Sequence, residues 1–487
     1  MNRPAASSLA TTLLTSAVLV LSAGACSKPD VDVSQKELSA RTVELPAVDR
    51  VILVTIDTLR ADHLSSFGYP IETSPWLDGL IERGVVFRRA YAQSATTKPA
   101  HASLFTSLYP IEHGVLKNGQ VMAEDLLTMA EMMRAEGYLT AGFVSADVPL
   151  GSHVGQGFEH WDWPKWKDSS SGRKLYRPAG ETIDRAIAWL DNEALEDERM
   201  FLWIHLYDPH PPLQPPAEAL ALVSQAANEI QDQHKRLLAQ RDIPARAASR
   251  YDKILKYDAE ILYADRQLAR LEQSLGRRGL NRDALWIVTS DHGQGLGAHG
   301  WFDHSVQIYN AQLHVPLVFW FTAGSVPPRT VADHVVEHID VLPTLAELVG
   351  GDLSTQIVPV RGRSLTPLLR GESGARSRSY AFAQRSEYAT PSRSRLGRGN
   401  YEPGSRFSLQ SLDFKYLLFT EGEDEFYDLA ADPYELINLV EDPLHLATSE
   451  LFAEQITTLV DSSVQKGSVE TVSDEDVERL RALGYIQ

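Results

Sequence analysis

Val51-Ile52-Leu53-Val54-Thr55-Ile56 is a β-branched, apolar run that ends on Asp57, and Leu285-Trp286-Ile287-Val288-Thr289-Ser290 ends on Asp291-His292. Such runs read as buried strands of a parallel sheet. A carboxylate at the last position of such a strand points into the crevice where α/β sheets hold their ligands. Between the two runs, Thr97-Lys98-Pro99-Ala100-His101 opens an apolar helix. Two acid-terminated strands, a histidine and a hydroxyl are the parts of a metal-assisted nucleophilic site.

Further short β-branched or aromatic runs lie at 139–144, 201–207 and 314–321. They alternate with helical stretches at 123–136, 181–192 and 253–274, which argues an α/β fold, a mainly parallel sheet flanked by helices. The Ala/Gln/Glu-rich stretch 217–250 reads as a helical insertion in a main domain of residues 50–360. From 361 to 487 the texture is that of a smaller α+β subdomain. Strands are expected at 407–409, 415–419 and 425–429, and a closing helix at Ser473 to Gly484 with a Ser473/Asp476 capping box. Arg376, Arg378, Arg385, Arg393, Arg395, Arg398 and Arg406 fall in Ser/Gly/Pro-rich sequence, read either as a solvated basic loop or as a flap that draws in anions.

At 487 residues and 43% hydrophobic there is ample material for a core, and the length allows one large domain plus a smaller one. The net charge of −19 argues against nucleic acid as a partner and against docking on an anionic membrane by charge alone. An anionic substrate has to be attracted locally, by a metal and a few cations.

The N-terminus reads as an export signal. Met1-Asn2-Arg3 supplies a positive charge, Leu9 to Leu21 is largely apolar but too short for a membrane helix, and Ala23-Gly24-Ala25 precedes Cys26. Cys26 is the only cysteine and forms no intramolecular disulfide. Its setting resembles a bacterial lipobox, so residues 1–26 are expected to be a lipoprotein signal, Cys26 the lipidated residue, and 27–49 a tether at the bacterial cell envelope. An ordinary cleaved signal is the alternative.

Thr97 lies at the start of the helix read as residues 100–109, with Pro99 tolerated in its first turn. The helix dipole is worth about half a charge and does not by itself ionise an alcohol. A divalent cation lowers the pKa of bound water from about 15.7 to about 7. Thr97 as a nucleophile therefore requires a metal, with Asp57, Asp291 and His292 as natural ligands; a helix N-cap is the plain alternative for a threonine there.

Taken together, Asp57-Thr58-Leu59-Arg60-Ala61-Asp62, Thr97-Lys98-Pro99-Ala100-His101-Ala102-Ser103-Leu104-Phe105-Thr106, Asp208-Pro209-His210 and Ser290-Asp291-His292-Gly293 resemble the ordered landmarks of the sulfatase family in the alkaline-phosphatase-like superfamily. The resemblance runs from about Asp49 to the end of the chain. It implies that Asp57, Asp291, His292 and Thr97 surround one divalent metal, with Thr97 in the nucleophile position. His210, His299 and His304 become candidates for contact with the anionic oxygens or for proton donation to the leaving group. Lys98, His101 and Asn118 fall on the substrate side, Asn118 matching an amide of phosphonate monoester hydrolases.

Two departures from the family pattern carry weight. Active sulfatases have Cys or Ser where this chain has Thr97, oxidised to formylglycine, and an Arg where it has His101. No formylglycine is expected here, and relatives with an unmodified Thr, such as lipoteichoic acid synthase-like transferases, work on phosphoryl groups. Asp57 is also followed by Thr58 instead of a second acid, as in single-metal phosphonate hydrolases. The nitrogen ligand His292 favours Mn or Zn, with Ca as the alternative. The expectation is a hydrolase or transferase of small or polymeric anionic esters, phosphodiester or phosphonate before sulfate. A non-catalytic member of the fold that binds metal and anions is the competing class.

Overall fold

The computed structural model describes residues 42–146, 154–164, 176–193, 198–243, 248–375, 378–387, 403–463 and 470–471. In chain order the strands are β1 (Arg50–Ile56), β2 (Val85–Tyr91), β3 (Gln120–Val121), β4 (Leu139–Val144), β5 (His160–Asp162), β6 (Met200–Leu206), β7 (Ala284–Thr289), β8 (His314–Phe321), β9 (Arg329–Val331) and β10 (Val336–Glu337). They are followed by β11 (Ala381–Arg385), β12 (Arg406–Gln410), β13 (Phe414–Phe419), β14 (Glu425–Asp428) and β15 (Glu470–Thr471).

Among the described residues a nine-stranded sheet runs in the order β10-β2-β8-β7-β1-β6-β4-β5, with β9 paired to β2. β1 lies between β6 and β7 and is parallel to both, Thr55 standing opposite His205 on one side and Thr289 on the other. β8 is antiparallel to β2 and to β7, so the sheet is mainly but not wholly parallel.

The unbroken apolar runs follow from burial on two faces. Successive side chains of a strand point to opposite sides. Ile52, Val54 and Ile56 enter one core with Leu202, Ile204, Trp286 and Val288, and Val51 and Leu53 enter a second with Phe201, Trp203, Leu285 and Ile287. The first core is closed by helices Ala179–Asn192 and Ala248–Arg277 through Ile183, Leu190, Leu268 and Leu271. The second is closed by helices Thr97–Thr106, Met129–Ala135 and Val341–Val349 through Leu104, Phe105, Met133 and Leu345. Each fully buried side chain of this kind contributes about 1.5–3 kcal/mol relative to exposure.

Element boundaries shift for local reasons. The helix expected over 123–136 is Met129–Ala135. Thr128 Oγ1 accepts from Glu131 N at 3.2 Å while the Glu131 carboxylate accepts from Thr128 N at 2.9 Å, a capping box that starts the helix there. The insertion is two helices, Ala217–Glu229 and Gln231–Gln240, ahead of Ala248–Arg277.

Toward the C-terminus, β11-β12-β13-β14 form an antiparallel sheet covered by helix Leu446–Ser462, with Phe452 and Ile456 packed on Phe382, Leu409 and Phe426. Its other side meets Ala95 and Ile308, so it backs the segment leading into Thr97. β15 pairs antiparallel with β3.

The arginine segment needs correction at three positions. Arg378, Arg385 and Arg406 belong neither to a solvated loop nor to a flap. Arg378 is paired with Glu337 and Asp340. Arg385 is buried and donates to Val306 O at 3.0 Å, and Arg406 is buried and donates to Gln307 Oε1 at 2.7 Å. Buried guanidinium groups demand such partners, and these three fasten the second sheet to residues 306–340. Arg376, Arg393, Arg395 and Arg398, the closing helix expected at Ser473 to Gly484, and Cys26 lie outside the described residues.

Candidate active site

Three adjacent parallel strands deliver the chemistry at their C-terminal ends. β1 runs into Asp57, β6 into Tyr207-Asp208-Pro209-His210, and β7 into Ser290-Asp291-His292. One ligand atom from each of Asp57, Asp291 and His292 lies within 4.8 Å of the others, and all three side chains are buried.

The turn after β1 is built to hold the turn after β7. Thr58 adopts a left-handed backbone, φ 60°, which directs its N–H to Asp291 Oδ1 at 3.1 Å. His292 N donates to the same oxygen at 2.8 Å. Leu59 N donates to Ser290 Oγ at 2.9 Å, and Ser290 Oγ donates onward to His292 O at 2.6 Å. With Oδ1 engaged by two amides, Asp291 Oδ2 is left buried and accepts no hydrogen bond among the described residues. Two buried carboxylates, one with an oxygen that accepts no hydrogen bond among the described residues, fit a cation.

His292 fits the same donor set. Its Nδ1–H donates to Gly293 O at 2.9 Å, which leaves Nε2 bare and facing inward. Thr97 Oγ1 lies 3.2 Å from that nitrogen, and Asp291 Oδ2 lies 3.4 Å from it.

Thr97 is the first residue of a helix whose every side chain is buried, with Thr96 as its N-cap. The positive end of the helix dipole therefore meets the hydroxyl. Lys98 N donates to Asn118 Oδ1 at 2.9 Å, and Asn118 Nδ2, though buried, has no hydrogen-bond partner among the described residues. The Lys98 side chain is also buried. His101 sits one turn into the helix: its Nδ1–H donates to Thr97 O at 2.8 Å, and its Nε2 lies 3.2 Å from Thr55 Oγ1. Trp203 Nε1 donates to that same hydroxyl at 3.0 Å. Burial holds His101 neutral, against a smaller opposing pull from Asp291.

His210 and His304 stand beside this cluster. His210 Nδ1–H donates to Pro211 O at 2.6 Å, and burial pushes its pKa down to about 3. His304 Nδ1–H donates to Gln294 Oε1 at 3.0 Å, and its ring centroid is 4.8 Å from those of both His210 and His292. Burial first, then the neighbouring histidines, keeps His304 well below its ordinary value. His299 is placed differently. Its backbone is left-handed, φ 51°, its N–H donates to Asp242 Oδ2, and its ring stacks on Tyr309 at 3.7 Å.

Asp208 is occupied elsewhere: it accepts from Ala179 N at 2.6 Å at the start of helix Ala179–Asn192, and burial raises its pKa to about 6. Sequence reasoning passed over His205. It is fully buried on β6 with Nε2 3.8 Å from Asp57 Oδ2, and burial, then His101, His210 and His292, hold it neutral. The signal was an ionisable residue inside an otherwise apolar strand, three positions before the Asp208-Pro209-His210 landmark.

The sulfatase family profile matches residues 49–351, and the profile described as N-sulphoglucosamine sulphohydrolase, C-terminal, matches residues 297–462. The chain belongs to the sulfatase family and is a hydrolase of ester bonds. It is 23% identical to an ulvan-active sulfatase of Formosa agariphila, over 82% of this chain and 78% of that protein. It is also 23% identical to an N-acetylglucosamine-6-O-sulfatase of Bacteroides thetaiotaomicron, over 86% and 85%. Among solved structures, the phosphonate monoester hydrolase of Agrobacterium radiobacter superposes with a TM-score of 0.68 at 22% identity, covering 88% of this chain and 100% of that one.

Proposed function

We propose that the chain is an extracytoplasmic, metal-dependent hydrolase or transferase of anionic tetrahedral esters, with Thr97 Oγ1 as nucleophile and phosphodiester or phosphonate esters as the preferred substrates. The observation that carries this reading is the Thr97 hydroxyl at a buried helix N-terminus, 3.2 Å from His292 Nε2 beside Asp57 and Asp291. Asp57, Asp291 and His292 would hold one divalent cation, Mn or Zn before Ca, which when bound supplies neutralisation of charge on the reacting oxygens.

Thr97 acts as an unmodified alcohol. Its oxygen attacks phosphorus as its proton passes to solvent water, and the bond from phosphorus to the leaving oxygen breaks. His210 or His304 faces the reacting group, and an arriving anion favours the protonated imidazole that gives the leaving oxygen its proton. Asn118 Nδ2 is a donor for the non-bridging oxygens. Water or a second alcohol then attacks the phosphorus, giving its proton to the imidazole left neutral by the first step, and the Thr97 oxygen leaves and regains a proton from solvent. The likeness to a phosphonate monoester hydrolase fold supports this class.

The second reading, hydrolysis of sulfate esters, is favoured by the sulfatases among the relatives. The test is a matched set of p-nitrophenyl sulfate, phosphate, phosphodiester and phosphonate esters with metal-reconstituted residues 27–487, each beside Thr97→Ala. Thr97-dependent cleavage of the phosphorus diesters with the sulfate inert is the expected result; Thr97-dependent sulfate release overturns the substrate preference. Anchoring through lipid on Cys26 is part of the same proposal, and mass spectrometry of the mature N-terminus tests it.

A further inference from the structure

His205 is a fully buried histidine on β6, opposite Thr55 of β1, and neither of its ring nitrogens makes a hydrogen bond to another described residue. Leaving a buried polar group unpaired costs about 1–3 kcal/mol. An apolar side chain would fill this strand position without that cost. The adjacent His101, whose ring centroid is 5.2 Å away, shows the contrast: both of its nitrogens are engaged, by Thr97 O and Thr55 Oγ1.

The Nε2 of His205 lies 3.8 Å from Asp57 Oδ2. A hydrogen bond of ordinary length, about 2.7–3.2 Å, needs a shift of about 1 Å. On the other side of the cluster, Asp291 is oriented by the Thr58 and His292 amides. We infer that His205 is the corresponding positioning residue for Asp57, its Nε2–H closing on Oδ2 and holding that carboxylate in register when a cation enters between Asp57, Asp291 and His292. The inference rests on those three residues being metal ligands. It assigns His205 no contact with substrate. Groups that orient a ligating side chain contribute to affinity through it.

The test is the affinity of the full mature chain for Mn²⁺ and for Zn²⁺, measured by competition with a chromophoric chelator, alongside Asp291→Ala. His205→Leu, which fills the space without a donor, is expected to bind about 10–100-fold more weakly, and His205→Gln, which keeps an N–H near the place of Nε2, within about threefold of the parent. A packing role alone predicts the opposite order, because a dry pocket tolerates Leu better than Gln. Melting in excess chelator establishes that each variant is folded; if His205→Leu is not, His205→Asn, whose amide stops short of Asp57, carries the same expectation. Parent-like affinity of the donor-less variant, with Asp291→Ala metal-free, overturns the role of His205 and leaves the ligand set standing. Equal weakening in His205→Gln also overturns it. A parent chain that binds neither metal overturns both readings.

Discussion

The hydroxyl of Thr97 and Nε2 of His292 face each other at 3.2 Å, joining the first turn of a buried helix to the end of a central strand. Because His292 Nδ1–H is spent on Gly293 O, the hydroxyl is the donor across that gap. Thr97→Ala is expected to lower kcat/KM on a phosphodiester by about three orders of magnitude or more, in line with loss of a nucleophile elsewhere. Thr97→Ser, which keeps the oxygen, should retain most of the turnover. Parent-like rates for Thr97→Ala would mean that water attacks directly.

Removal of metal should be reversible in its effect on rate. Chelation is expected to abolish ester cleavage, and readdition of Mn²⁺ or Zn²⁺ to restore it. Asp291→Ala should abolish restoration and also lower stability, since the Thr58 and His292 amides lose their acceptor and each unpaired buried amide costs about 1–3 kcal/mol. Thermal melts of the metal-free proteins separate the second effect from the first.

A pH dependence of stability follows from Glu260. Burial, then the nearby Asp208, raises its pKa from an ordinary 4.5 to about 9. Between those values unfolding releases a proton, so the folded chain loses stability as pH rises through that window. Glu260→Gln carries no such proton and should flatten the slope, with a higher Tm than the parent at pH 8. Parallel Tm profiles from pH 5 to 9 would show that Glu260 is already ionised in the folded chain.

Arg378 should matter for folding and not for catalysis. Its pairing with Glu337 and Asp340 is buried, and removal of one partner from such a set costs about 3–5 kcal/mol. Arg378→Met is expected to melt well below the parent yet to show a parent KM for an anionic ester at low temperature. A selective rise in KM would restore the idea that this arginine attracts substrate.

What the sequence made legible follows from where the free energy lies. Val51–Ile56 and Leu285–Ser290 announce themselves because both faces are apolar, and a terminal acid is conspicuous there. Thr97 and the two acids could therefore be named together before their separation in space was known. His205 was hidden because its partner Asp57 arrives through strand pairing with a distant part of the chain, while a lone histidine in an apolar run reads as packing. Arg378, Arg385 and Arg406 misled because neighbouring Ser, Gly and Pro suggest exposure, whereas Glu337, Asp340, Val306 and Gln307 are supplied by an earlier part of the chain. The start at Met129 was readable in principle from Thr128 and Glu131, but the upstream apolar residues drew the boundary too early.

Thr58 and Asp291 are bonded across 233 positions of the chain. A ribosome that has released β1 and β6 has yet to make Asp291 and His292, so a partly synthesised product lacks two of the three proposed ligands. On the proposed ligand set, a cation is held only after β7 has joined the sheet, in whichever compartment folding is completed.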